Sequence, residues 1–143
     1  MQRGPVAMNR AAIYGTAIVV CHAIVSLVHG LAHSELHIEL SRTETGFVLI
    51  VIGLCPLVAM GLLWTSGRMS GLVLLVLSMA GSLLFGLYRH FLVMGPDHVG
   101  EQAQGFWATT FALTSYGVLL TEGLGIYVGM RFLLRKREEV EER

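Results

Sequence analysis

His22, Ser26, His29, His33 and His37 follow one another at intervals of four, three, four and four residues. An α-helix turns about 100° per residue, so with His22 at the origin the others fall at about 40°, −20°, 20° and 60°, a single polar stripe. His29 and His33 stand one turn apart on that stripe, and two imidazoles so placed can chelate a transition metal once further donors arrive from elsewhere. A second group supplies them: Arg89 and His90, followed by Asp97 and His98. The candidate metal ligands are therefore His29, His33, His90, Asp97 and His98. Two or three imidazoles with a carboxylate suit Zn, Cu, Fe or Ni, without preference among them. Haem b is the alternative cofactor, with His90 paired to His29 or His33 across two facing helices. Two stacked haems are excluded as an all-histidine arrangement, and covalent attachment is excluded because no Cys-x-x-Cys-His occurs.

Two further ionisable groups, His22 and Glu122, lie deep in apolar runs. His22 is eleven residues past Ala11 and Glu122 nine before Arg131. At about 1.5 Å rise per residue they stand about 16 and 14 Å from the same edge. Matching depth predicts a hydrogen-bonded or ionic pair between the two helices that carry them, because either group alone in an apolar medium is costly. Ser26 and His22 also outline a proton relay from the outer histidines to Glu122, and a polar clasp is the plainer use of the same residues.

These side chains must be positioned by helices that cross a membrane. The chain has 143 residues, 54% hydrophobic and 14% charged, whereas soluble domains carry about 25% charged residues. Its mean hydropathy is +0.65. About 20 apolar residues cross a bilayer core, and four segments qualify: 11–31 with an amphipathic extension to 40, 47–64 with a kink at Pro56, 71–93, and 106–134. Ser41 to Gly46, Ser66-Gly67 and Gly95-Pro96-Asp97 break the chain between them. The expected fold is all-α, one integral membrane four-helix bundle with short connections. Ser78, Ser82 and Gly86 on the third span, and Gly117, Thr121, Gly125 and Gly129 on the fourth, recur every four residues and predict close backbone packing.

Charge sets the orientation. Of ten Lys and Arg residues, Arg3, Arg10, Arg68, Arg131, Arg135, Lys136, Arg137 and Arg143 fall on one side, and only Arg42 and Arg89 on the other. Basic flanks collect in the cytoplasm, so the N- and C-termini are expected there and the histidine cluster at the extracytoplasmic face of a plasma or inner membrane. A cleaved signal peptide ending near Gly30-Leu31-Ala32 would remove His22 and His29, but its apolar stretch is longer than the usual 7–15 residues or about that. The charged run from Arg135 to Arg143 reads as a solvated anchor whose basic residues reach anionic headgroups. Cys21 and Cys55 lie inside apolar runs and read as small buried hydrophobes.

The expected function is an integral membrane protein that binds a transition metal through its histidine cluster, for redox, sensing or enzymatic work at the outer face. Two other classes use the same residues differently. One is a small transporter or proton-conducting unit built on His22 and Glu122; the other is an accessory subunit whose polar groups are structural. The lipid bilayer is the expected partner, with another membrane protein or a second copy of the chain beside it. No Walker loop, dinucleotide fingerprint, Gly-x-Ser-x-Gly elbow or His-Glu-x-x-His motif occurs, and nothing supports nucleic-acid binding.

Overall fold

The computed structural model of the chain describes the backbone of residues 4–141 and the side chains of residues 10–135. Arg3, Lys136, Arg137 and Arg143, four of the basic residues used to orient the chain, lie outside those described side chains, as does most of the charged C-terminal run. Among the described residues the fold is all-helical. Helix α1 is Gly4–Glu35; α2 runs from Arg42 to Leu63, α-helical over Arg42–Phe47, π-helical over Val48–Leu54 and α-helical again over Cys55–Leu63. Helix α3 runs from Arg68 to Leu92 and ends in a π-helical turn, Tyr88–Leu92; α4 is Phe106–Glu141. Each contains a stretch long and apolar enough to cross a membrane.

Large apolar side chains point outward, with Leu27 76% and Leu92 72% exposed, while His22, Ser82, Ser115 and Glu122 are buried between the helices. That inverts the arrangement water selects and matches an apolar solvent, in which polar groups turn to the bundle interior. Helix α4 packs along both α1 and α3, α3 packs along α2, and the α1–α2 seam is the thinnest of the four. Glycines set these distances. A Cβ on Gly125 would stand 2.8 Å from Cγ of Met79, and one on Gly117 would stand 3.1 Å from Val25, so α4 lies against both neighbours at near-backbone range.

The ends of the helices follow from local chemistry. Helix α1 stops at Glu35 and does not form the expected extension to Leu40. His37 takes a left-handed backbone (φ 54°). The amide of Ile38 donates to the His33 carbonyl at 3.0 Å and that of His37 to the Ser34 carbonyl at 3.2 Å. This is a Schellman cap with histidine where glycine usually sits, and so the sequence carried no stop signal there. Helix α2 begins five residues before the expected 47, because Ser41 and Glu44 form a capping box: the Ser41 amide donates to Glu44 Oε2 at 2.8 Å and the Glu44 amide to Ser41 Oγ at 3.3 Å. Pro56 was expected to kink this helix. Proline offers no N–H to the carbonyl four residues back, and the chain meets that loss with the π-helical stretch just before it. At the other end of α2, the Arg68 Nε donates to the free Leu63 carbonyl at 3.0 Å, and Trp64 Nε1 donates to Thr16 Oγ1 at 2.9 Å, tying α2 to α1.

Candidate metal centre

His29 on α1 and His90 on α3 hold their Nε2 atoms 3.2 Å apart, and the Nε2 of His33 lies 3.2 Å from that of His29. All three rings offer a ligand atom within 4.8 Å of the others. Two nitrogens each about 2.0–2.1 Å from one ion at the tetrahedral angle lie about 3.3–3.4 Å apart. The closest spacings in the triad are therefore those of donors shared by one ion.

The opposite edges of the rings explain which nitrogen faces the centre. His90 Nδ1 lies 3.0 Å from the carbonyl oxygen of Asp97 and 3.0 Å from its Oδ1. Both are acceptors, so Nδ1 carries the hydrogen and Nε2 keeps its lone pair. His29 Nδ1 lies 3.0 Å from Thr114 Oγ1, whose own hydrogen goes to the Thr110 carbonyl at 2.7 Å. The hydroxyl oxygen thus accepts from His29, and His29 Nε2 is also a lone pair. Two lone pairs 3.2 Å apart repel unless a cation stands between them. Phe111, fully buried on α4, packs flat on His29 with centroids 5.0 Å apart and meets His33 and His90 edge-on at 5.2 and 5.4 Å, which limits the tilt of all three rings.

Asp97 supports the centre from the loop after α3. Gly95, at φ 150°, turns the chain as only glycine does readily, and the Val99 amide donates back to the His90 carbonyl at 3.0 Å. Asp97 is thereby buried against the helix end. Its Oδ1 stands 3.3 Å from His33 Nε2, while its Oδ2 accepts from Arg89 Nε at 3.1 Å. Burial pushes the Asp97 carboxyl up, but the hydrogen bonds and electrostatic pull of the neighbouring His90, His33 and Arg89 side chains outweigh it and hold the group below the usual carboxylate range. Arg89 also reaches Glu44 on α2, with NH1 3.2 Å from Oε1. Arg89 and His90 both belong to the π-helical turn, whose Val93 amide bonds to the Tyr88 carbonyl five residues back at 2.9 Å. Such turns recur at functional sites because they re-aim side chains.

The other expected site residues fall elsewhere. His98 is not in the group: its Nδ1 accepts from the Gly100 amide at 3.0 Å and closes its own turn. His37 leaves the stripe at the helix cap, its Nδ1 3.1 Å from the Glu35 carbonyl. His22 and Glu122 are both buried, yet they do not pair. His22 Nδ1 lies 3.2 Å from Thr121 Oγ1 and its Nε2 3.4 Å from Ser26 Oγ. Glu122 takes the hydroxyl of Ser82 on α3. Adjacent helical residues point about 100° apart, so Thr121 faces α1 while Glu122 faces α3. Equal depth put His22 and Glu122 in one layer but on different seams, and no direct hydrogen bond joins them.

Beneath the triad lies a cavity of about 210 Å³, with His29, His33, His90 and Asp97 at one end and Ser82 and Glu122 at the other. Thr114, Phe111, Ser82 and Glu44 were not singled out as site residues from the sequence. Only their helical register relative to the histidines marks them, and threonine, serine and phenylalanine are ordinary in membrane helices. Set against protein-family models, curated proteins and solved structures, the chain has no match.

Proposed function

We propose that this is a multi-pass membrane protein whose triad of His29, His33 and His90 holds one transition-metal ion, with Asp97 supporting the site, and that the ion does the protein's work. One observation carries the reading: the Nε2 atoms of His29 and His90 converge at 3.2 Å while their Nδ1 atoms are committed elsewhere, and His33 Nε2 stands 3.2 Å from that of His29. Three imidazoles with a position left open are the donor set of catalytic zinc sites, and imidazole equally suits Cu, Fe and Ni. Haem is the weaker alternative, because bis-histidine ligation needs a macrocycle plane between two imidazoles, and here a third imidazole and Phe111 crowd the same space. Basic residues gathered at the far ends of the helices favour an extracytoplasmic centre.

Metal analysis of the purified protein tests the reading. About one ion per chain is expected, with no Soret band in the absorption spectrum. His33→Ala and His90→Ala should each remove most of the bound metal while helix content by circular dichroism stays unchanged. Metal content equal to wild type in both variants would overturn the assignment, and a chain that binds no metal would favour a structural role for the cluster.

A further inference from the structure

Glu122 is fully buried; Ser82 holds one carboxyl oxygen, and the other, Oε2, has no hydrogen-bond partner. An unpartnered buried acceptor costs about 1–3 kcal/mol. His22 on α1, at about the same depth, has both ring nitrogens engaged by Thr121 and Ser26 and does not fill the gap. Glu122 also lines the cavity beneath the triad, whose walls include Ile52, Phe85 and Val118. At about 210 Å³ that cavity exceeds the roughly 150 Å³ apolar cavity that accepts benzene. Its surface is mainly apolar between the histidine end and the Ser82–Glu122 end, where the hydrogen-bonding groups gather. Size, wall chemistry and a free acceptor together describe a ligand.

We propose that this cavity binds a small bilayer-soluble molecule of about single-ring size, whose hydroxyl donates to Glu122 Oε2 and whose other end faces the open coordination position of the triad. The second half rests on the metal reading above; the first half does not. The way in is the thin α1–α2 seam. Gly30 lines the cavity there, and a Cβ built on it would meet nothing within 4 Å. A phenol or an alcohol dissolved in the acyl region reaches the site from the side, without crossing water.

Fluorine NMR of the purified, detergent-solubilised full chain tests this with 4-fluorophenol as the probe. Saturable binding is expected both in chelator-treated protein and after loading with Co²⁺, and the bound fluorine signal should broaden only in the loaded form. Fluorobenzene, which lacks the hydroxyl, should bind at least tenfold more weakly to the wild-type chain, and Glu122→Leu should erase that difference. Val118→Trp should fill the cavity and abolish saturable binding while keeping the wild-type helix content by circular dichroism, which certifies its fold. Non-saturable partitioning alone, or equal saturable binding of the two probes to the wild-type chain, would overturn the proposal. The two readings separate cleanly. Probe binding in a chain that takes up no Co²⁺ sinks the metal centre and keeps the pocket, and Co²⁺ uptake without probe binding does the reverse.

Discussion

His29 and His90 come from different helices and present bare Nε2 atoms to one another at 3.2 Å, each held in that orientation by an acceptor behind the ring. The acceptors are unlike: a threonine hydroxyl on α4 for His29 and the loop residue Asp97 for His90. Partners behind metal-bound histidines fix the tautomer and the ring angle, and their loss typically lowers affinity about 10–100-fold.

Thr114→Val keeps the shape of the side chain and removes the acceptor, so metal affinity measured by chelator competition should fall by about 10–100-fold, and Thr114→Ser should restore most of it. Asp97→Asn should also weaken the site, since it removes the negative charge beside His33 and His90 and leaves Arg89 without its anion. Wild-type affinity in both variants would mean that the rings are held by Phe111 alone.

The Ser82–Glu122 contact joins α3 to α4 in the apolar interior. Ser82→Ala and Glu122→Leu should each destabilise the bundle by about 1–3 kcal/mol. The double variant should cost less than their sum, by a coupling of about 0.5–3 kcal/mol. His22→Leu combined with Glu122→Leu should show a smaller coupling, because the two groups have separate partners. Denaturant titration in mixed micelles reads all of these.

Single cysteines introduced between Thr43 and Gly46, in a chain with Cys21 and Cys55 replaced by alanine, should react with a membrane-impermeant maleimide in intact cells. Cysteines placed after Lys136 should react only once the membrane is opened. The reverse pattern would move the triad to the cytoplasmic side.

Periodicity and length carried most of the architecture, because a bilayer demands about 20 apolar residues per crossing and leaves few alternatives. The stripe of His29 and His33, together with His90 near the end of a span running the other way, was enough to bring three rings to one place. What the sequence hid is conformational and lateral. His37 occupies a left-handed cap that glycine normally announces, so the helix looked longer than it is. The π-helical segments have no residue signature beyond Pro56. Depth along an axis can be counted from a sequence, whereas which seam a residue faces depends on the packing order of four helices. That is why His22 and Glu122 looked like partners, and why Ser82 looked like a packing residue alone.

Glu44 is shared between two structures. One carboxylate oxygen closes the capping box that starts α2, and the other holds Arg89, which holds Asp97 behind the triad. The first turn of α2 and the centre are therefore thermodynamically linked through a single carboxylate. Coupling of this kind is reciprocal: fraying of the α2 start weakens the centre by the same free energy with which an occupied centre would order that turn. If the centre binds metal as proposed, the order of the six-residue segment Arg42–Phe47 should report its occupancy.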